Sequence, residues 1–150
     1  MRRNLLAVIL FAPVFVLGLG IAGGRVRQAG SAASELEQLG VDEQRILNVY
    51  NDAVSKHAQG ALSDSEFLVI LDDDVRRPWR EIRRRIDHLR HESVLNPQVM
   101  QQYEEYLAAR GEAFGLLSTA IAKHDPASAA RSREKMAEAD RLVESFNLGR

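Results

Sequence analysis

Apolar residues recur along this chain at two rhythms, and the change between them divides it. From Leu5 to Ala22 the run is unbroken by charge and is introduced by Met1-Arg2-Arg3-Asn4. As a helix it would extend ~27 Å, close to the ~30 Å hydrocarbon core of a bilayer. Beyond Arg25, apolar positions fall three and four apart, the period of an amphipathic helix. Ile46, Val49, Tyr50, Ala53 and Val54 predict a helix over about Asp42 to Gln59, with Gly60 as the residue past its end.

Ser63-Asp64-Ser65-Glu66 then has the form of a capping box. The stripe Phe67, Leu71, Val75, Trp79, Ile82, Ile86 and Leu89 predicts one long helix to about Ser93. A kink is expected near Pro78, which cannot donate to the carbonyl of Asp74. Asn96-Pro97 pairs an N-cap with proline at the first helical position, ahead of Val99, Tyr103, Tyr106, Leu107, Ala113, Phe114, Leu117 and Ile121. Asp125-Pro126 repeats that signal and opens a last helix carrying Ala129, Ala130, Met136, Ala137, Val143 and Phe146.

The expected fold is therefore all-α: an N-terminal transmembrane helix, then an antiparallel bundle of about four helices arranged as long hairpins. Residues 1–24 read as a signal anchor and residues 25–41 as a tether, which could turn helical from Ser34. Residues 42–150 read as the bundle domain. The apolar run exceeds the usual ~7–15 residue core of a cleaved signal. Small residues at Gly20-Ile21-Ala22 and Ser31-Ala32-Ala33 keep cleavage and secretion as the alternative. After Arg27 the next basic residue is Arg45, and this scarcity favours placing the downstream domain outside the cytoplasm of a bacterial-type inner membrane.

Composition sharpens the picture in one respect. The formal net charge of −1 hides a basic island, Arg76 to Arg90, with seven Arg against Glu81 and Asp87. Acidic residues dominate the remainder of the domain. Arg76, Arg77, Arg80, Arg83 and Arg84, together with Trp79, Tyr103 and Tyr106, are the candidate interaction residues. The arginines could pair with the acidic helices, starting with Asp72, Asp73 and Asp74 one turn upstream, or meet an anionic membrane or acidic protein. Nucleic acid is not expected, since no known binding motif surrounds the island.

His88 and His91, three apart, are weak candidates for metal ligands that would need a third donor from another helix. The chain has no Cys, no Gly-x-Ser-x-Gly and no phosphate-cradling glycine loop, so no catalytic residue or cofactor is predicted. The expectation is a membrane-anchored, non-catalytic interaction or scaffold module that docks a protein partner or a second copy of itself. A second reading is a periplasmic sensor of ligand, metal or envelope stress acting through a membrane partner. Leu39-Gly40-Val41-Asp42-Glu43-Gln44-Arg45 resembles the helix opening common among membrane-tethered periplasmic hairpins that detect metals or misfolded protein. The likeness covers those seven residues, and the repeated Leu-Thr-x-x-Gln motif of such proteins is missing.

Overall fold

The computed structural model describes residues 26–91 and 96–148, with side chains over 34–90 and 96–145. The apolar run Leu5 to Ala22 lies outside the described residues. Within them, no helix is long and apolar enough to cross a membrane. The described chain is helical throughout: α1 (Val26–Ala58), α2 (Asp64–Ile70), a π-helical segment (Leu71–Arg76), α3 (Arg77–His91), α4 (Pro97–Lys123) and α5 (Pro126–Leu148).

The predicted start signals are built as the sequence spells them. Ser63 accepts from the Glu66 backbone N–H while Glu66 Oε2 accepts from the Ser63 N–H at 2.9 Å, completing the capping box. Asn96 Oδ1 accepts from the Gln98 N–H at 2.9 Å ahead of Pro97. Gly60 takes φ +74°, which a side chain would oppose. His124 caps α4 in the left-handed region, making the tight turn into α5.

Two expectations change. The stretch assigned to a tether is helical from Val26, and Leu36 and Leu39 within it are fully buried. The helix extends early because those leucines continue the apolar stripe toward the N-terminus, ten and seven residues before Ile46. The kink expected at Pro78 is instead absorbed one turn earlier. Arg77 donates its N–H to the carbonyl of Asp72, five residues back, in the wider π register. Proline has no N–H to give, and widening the preceding turn relieves the clash its ring would make. Ile70, Leu71 and Arg77 all keep right-handed helical dihedrals, so α2, the π segment and α3 run on as one rod.

Cross-helix pairs fix the directions. Arg85 on α3 reaches Glu35 and Asp42 up to the middle of α1, whereas His57 near its end bonds Asp64 on α2. Arg76 reaches Ser118 late in α4, and Arg90 reaches Glu104 early in it. The four rods therefore alternate up and down. Trp79, Phe67, Phe114, Ile82 and Ile86 fill the centre. Alanines and serines on α4 and α5 (Ala109, Ala113, Ser128, Ala129, Ser132, Ala139) let that pair pack closely, with Ser132 Oγ donating to the Ala113 carbonyl at 2.8 Å. By contrast, no described Cα of α1 lies within 8 Å of one on α4 or α5. That wider seam is filled by large side chains.

Candidate functional site

The wide seam holds a buried polar layer. Glu43 of α1 is only 3% exposed and accepts from two phenols of α4, Tyr103 at 2.7 Å and Tyr106. The side chain of Arg110, one turn further along α4, is 6% exposed and donates through Nη2 to Asp140 of α5 at 2.6 Å. Its Nη1 lies 3.0 Å from Met136 Sδ, and its guanidinium carbon sits 5.7 Å from the Tyr106 ring centre. Arg110 Nε is buried with no hydrogen-bond partner. Tyr50 of α1 closes the layer against Phe114, ring centres 5.0 Å apart.

Burial dominates the electrostatics here. It raises the Glu43 carboxyl above its usual range, against the opposing pull of the Tyr106 and Tyr103 hydroxyls and the Arg110 charge. Burial pushes the Tyr50 phenol up to about 12. Tyr103 and Tyr106 rise as well, through burial first and the neighbouring Glu43 charge second. Glu43, Tyr103, Tyr106 and Arg110 are shut away from solvent and Tyr50 is partly buried, so the layer joins α1 to the α4–α5 pair.

The arginine island has the opposite character. Arg76 pairs with Asp72, Arg77 with Asp73 at 2.9 Å, and Arg84 with Glu81, each along its own rod. Arg85 is held by Glu35 and Asp42, and Arg90 meets Glu104 at 3.4 Å. Arg80 and Arg83 are exposed and have no ion-pair acceptor among the described residues. Arg83 also lines a cleft of about 350 Å³ between α3 and α4, with Ile86, Asp87, Gln101, Glu104, Glu105, Leu107 and Ala108.

The aromatic candidates do not join that face. Trp79 (1% exposed), Tyr103 (2%) and Tyr106 (1%) are core residues, and the Trp79 indole donates to the Leu107 carbonyl at 2.9 Å. Anchoring a partner requires exposure, and their place in the apolar stripe denies it. His88 is exposed on α3, and the His91 side chain falls outside the described residues. No group of three His, Asp or Glu among the described residues is placed to hold a metal ion.

Glu43 and Arg110 were not singled out from the sequence, although a signal existed. Leu36, Leu39, Glu43, Ile46, Tyr50 and Ala53 step by three and four, with the carboxylate in the middle of the stripe. Tyr103, Tyr106, Arg110, Ala113 and Leu117 do the same around the guanidinium. A charged residue in register with a core stripe marks a buried polar layer. Compared with known proteins, the chain matches no family, no curated protein and no solved structure.

Proposed function

We propose that this chain is a membrane-anchored, non-catalytic helical interaction module, held through Leu5 to Ala22 on the extracytoplasmic side of a bacterial-type inner membrane. The observation that carries the reading is the split of its polar groups. Glu43, Tyr103 and Tyr106 are buried in the seam, whereas Arg80 and Arg83 lie exposed on one flank of α3 without an ion-pair acceptor among the described residues. Free charges on a rigid surface steer and select partners more than they stabilise a fold.

The link to the apolar run favours a protein partner over lipid. α1, described from Val26, enters the bundle without a break. Arg85 is held at the level of Glu35 and Asp42, about 14 and 24 Å along α1 from Val26. Salt screens charges over about 8 Å at physiological ionic strength. If α1 continues upright from the anchor, the bundle carries the arginine face beyond the reach of the head groups.

The test is topology with processing. A compartment-dependent reporter fused after Arg150 should be active only outside the cytoplasm, on a membrane-bound product of full mass. A shortened soluble product, or a reporter active only in the cytoplasm, overturns the anchored extracytoplasmic reading.

A further inference from the structure

The flank of α3 that faces α4 changes sign along its length. Arg76, Arg80, Arg83, Asp87 and Arg90 follow one another at helical spacing on this side. Arg76 touches Ser118, and Arg83 and Asp87 line the cleft with Gln101, Glu104 and Glu105. Removing the charges already satisfied within the chain leaves a simple pattern. Arg76 is taken by Asp72, and Arg90 by Glu104. What remains is Arg80 and Arg83 toward one end, and Asp87 and Glu105 toward the other. Glu105 accepts only an amide hydrogen bond, from Gln101 at 3.0 Å, and Asp87 has no partner among the described residues. Arg83 and Asp87 stand four apart without pairing.

Such a surface is complementary to itself. A two-fold axis perpendicular to α3, passing between Arg83 and Asp87, exchanges its positive and negative halves, as an isologous contact requires. In α4, Glu105 follows Glu104, the partner of Arg90, and lines the cleft with Arg83 and Asp87; Arg90 stands about two turns beyond Arg83. The axis that sets Arg83 of one chain against Asp87 of the other brings Arg80 to the level of Arg90, whose charge Glu104 takes, and within reach of the neighbouring Glu105 of α4. Half-exposed Ala108, Gly111 and Gly115 of α4 border this flank and keep it low. A Cβ added at Gly115 would meet nothing within 4 Å. An anionic lipid surface or acidic protein would satisfy the arginines but meet Asp87 and Glu105 with like charge.

We propose that the α3–α4 face is the docking surface for a second copy of this chain, paired antiparallel through Arg80–Glu105 and Arg83–Asp87. The proposal rests on the reading of the bundle as an interaction module, and it names the partner. It is independent of which side of the membrane the bundle occupies.

Because the full chain has no cysteine, Ala108→Cys places one thiol beside the axis. With a short bis-maleimide, the full chain in detergent micelles should give a covalent dimer. Arg80→Glu with Arg83→Glu, and separately Asp87→Arg with Glu105→Arg, should each lower that yield at least about tenfold when alone. Mixing the two reversed chains should restore it as a heterodimer. Circular dichroism should report the same helicity for all three chains, since the four altered side chains lie at the surface.

A wild-type chain that does not cross-link overturns the proposal. A yield unchanged by both reversals does so too, and assigns self-association to the N-terminal segment. Reversed chains that stay monomeric when mixed, or binding to anionic vesicles that replaces the cross-link, likewise reject the second copy. A reporter result against the anchored topology would leave the cross-link standing, so the two readings fail separately.

Discussion

Two charge clusters organise this bundle, and they differ in everything except the residue types they use. Between α1 and the α4–α5 pair, Glu43, Arg110 and Asp140 are few, and the first two are almost wholly enclosed. Along α3 the arginines are many, mostly exposed, and mostly engaged by carboxylates of their own rod or of a neighbouring helix. The sparse cluster carries more structural weight. A buried polar group without its partner keeps its full desolvation cost, whereas a surface pair trades one solvated state for another. Burial, and not the count of charges, decides which cluster holds the fold and which is free to meet something else.

The sharpest way to break this contrast is Glu43→Ala. It removes the acceptor of two buried phenols and leaves a cavity in the seam, so the expected loss is about 4 kcal/mol. Urea unfolding of wild type and variant measures it. A cost below 1 kcal/mol would mean that water reaches the layer and that the contrast is wrong.

Arg110→Leu comes next, at about 3 kcal/mol in the same assay. Asp140 then loses the cation it pairs with while remaining three-quarters covered, and Met136 and Tyr106 lose a contact.

A smaller effect reports on protonation. Folding raises the affinity of Glu43 for its proton, so the folded state holds that proton from about pH 4.5 up to its higher folded value. The contribution is present below that window and is lost as pH rises through it. Glu66, held low by Ser63, and Asp125, held low by Ser128, act in the other direction and lose their contributions as pH falls. Glu43→Gln removes one slope and leaves the others. The difference between wild-type and variant unfolding free energies should therefore change with pH only above about 4.5. A flat difference rejects a raised Glu43.

Arg84→Ala should be the smallest, within about 0.5 kcal/mol, because its pair with Glu81 is exposed on both sides. A loss of more than 1 kcal/mol there would give the arginine face a structural role and blur the comparison from the other side.

The helical start signals were legible in the chain because their chemistry is local. Ser63 and Glu66, Asn96 and Pro97, and Gly60 depend on neighbours within a few residues. The apolar stripes gave the number of rods for the same reason. Sequence spacing could not decide which charged residues were inside. Glu43 is buried by tyrosines sixty and sixty-three positions away. Trp79, Tyr103 and Tyr106 look equally suited to a core or an interface until their neighbours are placed. Nor did the pairing of Arg85 with Glu35 and Asp42 follow from any local rule, since it required α1 to begin before Asp42.

The π segment stores one residue of slack. Phe67, Leu71, Val75 and Trp79 step by four each time, a spacing that would drift ~120° around an ordinary α-helix over that span. All four are buried because the wider turn takes up the difference. Deleting one residue between Asp72 and Asp74 would return the steps to four, three and four, in plain α-helical register. A deletion elsewhere in the rod would turn every later core residue away by ~100°. The bundle thus has a place where its length can change without its faces changing.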